Sequence, residues 1–73
     1  MKFTRRDDYH AVSDCGRYSI CRVTVGGQDM LEAWRTGSRE AQAVRLAGYG
    51  YSGDEVRKMA YRACVKACEG DAG

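Results

Sequence analysis

The sequence of 73 residues predicts a small α+β domain, in which a short antiparallel three-stranded β-meander packs against a C-terminal α-helix. Three observations predict it. An amphipathic repeat with start and stop signals runs from Asp54 to Glu69. Two runs rich in β-forming residues flank Gly26-Gly27. The length allows one hydrophobic core, since folding at this size buries only about 60% of the surface of the unfolded chain.

The helix has the clearest signals. Ser52-Gly53-Asp54-Glu55 matches a capping box, in which the Ser52 hydroxyl accepts from the Glu55 backbone N–H and the carboxylate reaches back. Tyr51 and Val56 stand where a hydrophobic staple would close the first turn, and Asp54 and Glu55 face the positive end of the helix dipole. Val56, Met59, Ala60, Ala63, Cys64 and Ala67 form an apolar stripe at helical period. Gly70 suits the αL position that ends a helix.

Upstream the chain reads as β. Tyr9 to Ser13 is a first short strand, and Asp14-Cys15-Gly16 has turn chemistry. Arg17 to Val25 and Gln28 to Arg35 are the second and third strands, joined by the Gly pair. If that pair is a two-residue loop, Val25 opposes Gln28. One face then carries Cys21, Val23, Val25, Met30 and Trp34, and the other Tyr18, Ile20, Leu31 and Ala33 with Arg22. Both faces are apolar, so one takes the helix and the other needs a second cover or a partner. A homodimer is one way to supply it.

Residues 38–47 carry two readings. Ser38 as N-cap, a run of good helix formers and Gly48 at C′ favour a short helix; Gln42 to Ala47 as a fourth strand is the alternative. Residues 1–8 read as a flexible charged leader, residues 9–70 as the single domain, and 71–73 as a frayed tail.

Composition narrows the functional classes. Hydrophobic residues at 44% and the absence of Pro exclude a disordered chain, while so small a core leaves little room for a deep, water-excluding active site. That favours binding over catalysis. The formal charge of +2, from 12 basic and 10 acidic side chains, is too balanced to imply nucleic acid by itself. Nine of the basic residues are Arg, which suits planar contacts to carboxylate or phosphate, although genomic base composition produces the same bias. Neither a secretory h-region nor an apolar run of ~20 residues is present, so a cytoplasmic protein with reduced thiols and no membrane partner is expected.

The chemistry-bearing residues are few. Cys15, Cys21, Cys64 and Cys68 lack short zinc-knuckle spacing, and the expectation is free thiols: Cys21 and Cys64 in the core, Cys68 semi-buried and Cys15 exposed in its turn. His10 could pair with Cys15, but no orienting carboxylate or oxyanion hole is evident, and no catalytic residue is assigned. Gly48-x-Gly50-x-x-Gly53 spells a dinucleotide fingerprint without the surrounding βαβ unit, so it reads as turns plus a cap, and no cofactor is expected.

Two features point to partners. Lys58, Arg62 and Lys66 recur every four residues on one helix face with Arg57 and Tyr61 beside them, and only Asp54 stands ready to offset Lys58. Such a row follows phosphates or meets an acidic partner, and it is also how an ordinary solvated helix face looks. Among the aromatics Trp34 reads as core and Tyr51 as the staple, which leaves Tyr49, between two glycines, as an interface anchor.

The stretch Ser13-Asp14-Cys15-Gly16-Arg17-Tyr18-x-Ile20, with Val25-Gly26, Glu32-Ala33-Trp34 and Gly48-Tyr49 through Cys64, resembles small uncharacterised phage and prophage proteins of bacteria. Their common form looks like a β-meander followed by a Ser-capped helix. Leu31-Glu32 stands where that pattern suggests an aromatic. The resemblance implies a non-enzymatic phage or mobile-element accessory protein in the bacterial cytoplasm that acts by protein binding. Some proteins of that size class block host defence, including anti-CRISPR inhibitors. The alternative is a small nucleic-acid-binding module using Arg57, Lys58, Arg62 and Lys66.

Overall fold

The computed structural model describes residues 1–73. Five strands, β1 (Phe3–Asp7), β2 (His10–Ser13), β3 (Tyr18–Val25), β4 (Gln28–Arg35) and β5 (Val44–Tyr51), precede a single helix, α1 (Asp54–Ala72). The strands pair antiparallel in sequence order, an uninterrupted meander with β1 and β5 at its edges. Sheet and helix form two layers around one core. The α+β class and the C-terminal helix stand as expected, and the meander has five strands rather than three.

The central hairpin follows from its glycines. Gly26 and Gly27 have φ of 58° and 81°, the pair of positive values that a tight I′-type loop requires. Val25 therefore opposes Gln28, and the register continues through Ile20 against Ala33 to Tyr18 against Arg35. Tyr18, Ile20, Leu31 and Ala33 face the helix and are buried. They meet Ala60, Cys64 and Cys68 of α1, with Tyr51 closing the cluster.

Five further expectations are corrected. Residues 1–8 do not form a frayed leader: Phe3 opposes Ser13 and meets the Tyr61 ring edge-on at 6.5 Å. The Asp7 carboxylate accepts from the Tyr9 backbone N–H at 2.8 Å and turns the chain into β2. One anchoring aromatic thus recruits a strand whose charges face outward.

Residues 38–47 do not form a helix. The Ser38 hydroxyl does accept from the N–H groups of Glu40 and Ala41 at 3.2 Å each, but only a bend over residues 39–41 follows. From Val44 the chain pairs with β4, where Ala47 lies against Ala33. A long sheet contact overrides local propensity here.

The helix start differs as well. Gly53, at φ 149°, is the N-cap and no side chain caps the helix, so the Ser52 box is not formed. Tyr51 is buried in the sheet while Val56 is 43% exposed, so the staple is absent too.

The buried stripe is rotated from the predicted one. Ala60, Cys64 and Cys68 point inward, whereas Met59 is 67% exposed. At the far end the helix continues through Gly70 to Ala72, because Asp71 is held by the Tyr18 hydroxyl at 2.9 Å and the Arg35 guanidinium at 3.5 Å. Gly73 provides the cap, its N–H donating to the Glu69 carbonyl.

Candidate functional site

The helix covers one side of the sheet only, packing on β5, β4 and β3. Strand alternation places Val12 of β2, Cys21, Val23 and Val25 of β3, and Met30 and Trp34 of β4 on the other side. No element of the chain covers them. Trp34 is therefore not a core residue; it is half-buried on the open face, as are Val12, Cys21, Val23 and Met30.

A polar group borders this patch. The Arg45 guanidinium Nε lies 2.7 Å from one oxygen of the Glu32 carboxylate, and the Trp34 indole N–H donates to the other at 3.4 Å. The Arg45 guanidinium occupies the space that a Cβ at Gly48 would fill. The glycine therefore lets an arginine lie flat on the sheet, which replaces the dinucleotide reading with a packing one.

On the helix side, a second surface opens between the β1–β2 turn and the first half of α1. Arg5 of β1 lines it together with Arg57, Lys58, Tyr61 and Arg62 of α1. It deepens into a cleft of about 170 Å³ bounded by Tyr9, His10 and Arg22. The Arg22 guanidinium lies over the Tyr9 ring, 5.5 Å from its centre.

The predicted partner-binding residues are thus divided. Arg57, Lys58, Tyr61 and Arg62 share this groove, while Lys66 lies farther along α1 outside it. Tyr49 sits on β5, at the opposite edge of the sheet, opposed to Leu31 and 38% exposed. Lys58 lies 3.9 Å from Glu55, not against Asp54. Arg5 and Arg22, which belong to the groove, were invisible as site residues in the sequence. Their placement depends on β1 and on the turn that folds it back.

The thiols lie in distinct environments. Cys64 and Cys68 are fully buried, so Cys68 is more enclosed than expected. Burial pushes the Cys64 thiol up to about 12 and raises Cys68 and Cys21 as well. Cys15 is exposed, and the Ser13 hydroxyl, 3.3 Å away, lowers its pKa. His10 is the first residue of β2 and Cys15 lies in the turn past its other end, so the two make no pair. No three His, Cys, Asp or Glu side chains converge in a metal-ligating arrangement. No helix is long and apolar enough to cross a membrane. Comparison with protein-family models, with curated proteins and with solved structures finds no match to this chain.

Proposed function

We propose that this chain is a small non-enzymatic binding protein that docks a protein partner on the open face of its sheet. The observation that carries this reading is the uncovered patch of Val12, Cys21, Val23, Met30 and Trp34, which crosses three adjacent strands. A contiguous apolar surface of this kind on so small a chain is characteristic of interaction sites, and Trp and Met are favoured at interface centres. Glu32 and Arg45 provide a polar border whose groups already satisfy one another, so a partner can cover the patch without stranding a charge.

Two further elements of the reading rest on the sequence resemblance alone: that the protein is a phage or mobile-element accessory factor of the bacterial cytoplasm, and that its partner is a component of host defence, as for anti-CRISPR-like inhibitors.

The test is crosslinked capture from bacterial host cells by the wild type, by Met30→Glu with Trp34→Ala, and by Arg62→Glu with Lys66→Glu. Loss of the same captured protein only in the sheet-face variant is expected, with a hot-spot contribution of about 2 kcal/mol from Trp34. Sedimentation equilibrium separates a second copy of this chain from a different protein. Full capture by a folded sheet-face variant refutes the assignment.

A further inference from the structure

The groove between the β1–β2 turn and α1 has a charge property that the chain as a whole conceals. Five of the 12 basic side chains border it, namely Arg5, Arg22, Arg57, Lys58 and Arg62, against three of the 10 acidic ones, Asp7, Asp8 and Asp54. The entire formal excess of +2 therefore sits in this groove, and the rest of the molecule is balanced.

Two of the three carboxylates are already engaged. Asp7 accepts from the Tyr9 backbone N–H, and Asp8 pairs with Arg5 at 2.6 Å. Arg22 lies 3.7 Å from Asp29 and Lys58 is loosely paired with Glu55. Arg57 and Arg62 form no ion pair. Arg57 is also half-buried, and it borders both the open part of the groove and the deeper cleft. A half-buried, unpaired guanidinium at the junction of two cavities is poised for an anion.

Aromatic rings border the same groove. Tyr9 remains 63% exposed although Arg22 lies over it, and Tyr61 is 37% exposed beside Arg57 and Arg62. Cations that track phosphates and flanking rings on which bases stack are the two elements of sequence-tolerant single-strand recognition. The geometry points to this groove as a binding site for single-stranded nucleic acid, with backbone phosphates on Arg57, Arg62 and Lys58 and a base stacked on Tyr9. The site is distinct from the open sheet face. It also differs from a simple helix row, because it includes the β1–β2 turn and leaves Lys66 outside.

Fluorescence anisotropy with a labelled oligothymidylate of about 15 nucleotides tests this. The wild type is expected to bind, and three phosphate contacts predict that affinity falls about 18-fold between roughly 50 and 200 mM salt. Arg57→Gln and Tyr9→Ala should each weaken binding roughly tenfold, while Lys66→Gln and Trp34→Ala leave it within about twofold. Arg62→Gln, an exposed position whose replacement leaves the core intact, should weaken binding even if an Arg57 variant proves unstable. Three results overturn the proposal: no binding at the lowest salt, equal loss in Lys66→Gln and Arg62→Gln, or tighter binding of a duplex of the same length.

Discussion

Replacing Cys64 with alanine tests both the helix seat and the state of the buried thiol. Cys64 is fully enclosed between α1 and the sheet, and its thiol lies 3.6 Å from the Leu31 carbonyl. Removing sulfur forfeits about 1 kcal/mol of transfer free energy and leaves a cavity of about 25 Å³ costing about 0.6 kcal/mol more. The variant should therefore lose about 1.5–2 kcal/mol at neutral pH, which lowers Tm by roughly 10 °C in a domain of this size.

Alkaline pH changes the comparison. The folded thiol is held near 12 and the unfolded one near 9.0, so below pH 9 both states are protonated and the wild type keeps its full advantage. As pH rises from 9 toward 12 the unfolded state loses its proton first, and the Cys64 contribution falls by up to about 1.4 kcal/mol per pH unit. Near pH 10.5 that loss reaches about 2 kcal/mol, so wild type and Cys64→Ala should unfold at the same denaturant midpoint. Matched urea titrations at neutral pH and at about pH 10.5 measure the difference, with groups remote from Cys64 cancelling. An undiminished gap at the higher pH refutes the buried, neutral thiol. A variant as stable as wild type at neutral pH refutes the close helix seat.

Other parts of the structure make equally direct predictions. Phe3→Ala removes the half-buried ring that meets Tyr61 and should cost about 1–2 kcal/mol, read from the denaturant midpoint; no change would mean that β1 is not docked. Tyr18→Phe deletes the hydroxyl that holds Asp71 and should cost about 1 kcal/mol, with faster amide exchange in the last turn of α1 as the specific signature. With a thiol-specific reagent, Cys15 should react first and Cys21 more slowly, while Cys64 and Cys68 react only on unfolding. Gly26→Ala should cost about 1 kcal/mol, because φ of 58° strains a side-chain-bearing residue in the hairpin loop.

The hairpin and its two faces were legible because the Gly pair and the alternation of β3 and β4 are local signals that agree. The helix was legible in existence and in its first residue, less so in its end and its rotation. Its sequence offers two neighbouring small-residue faces, and Ala60, Cys64 and Cys68 won because Ala33 and Ala47 on the sheet admit a close approach there. Val56 and Met59, more hydrophobic but bulkier, were left outside. The sequence hides β1 and favours a helix over the strand alternative that β5 fulfils from Val44 onward, for a shared reason. Each is recruited by tertiary contact, Phe3 with Tyr61 and Ala47 with Ala33, against a local composition that suggests a solvated leader or a helix. The groove depends on β1, so Arg5 could not be placed from the sequence, and Arg22, although its face of β3 was legible, could not be assigned to a groove. The row of cations along α1 was visible, but Lys66 could not be separated from Arg57 and Arg62 without knowing where the β1–β2 turn lies.

A single helix on a five-stranded sheet accounts for both candidate surfaces. An α-helix is about 10 Å across and neighbouring strands lie about 4.8 Å apart, so one helix covers two or three strands. Here α1 lies on β3, β4 and β5. The helix meets the β1 end of the sheet through Tyr61 on Phe3 and Glu69 on the Met1 ammonium at 3.0 Å, and the space beside Tyr61 becomes the arginine-lined groove. The other side of the sheet has no second helix at all. Had the small-residue seam matched Ala11 on β2 instead of Ala33 and Ala47, the helix would lie over the groove and the β5 edge would be bare. The position of two alanines on adjacent strands therefore helps to fix where α1 sits and which parts of the sheet it leaves open.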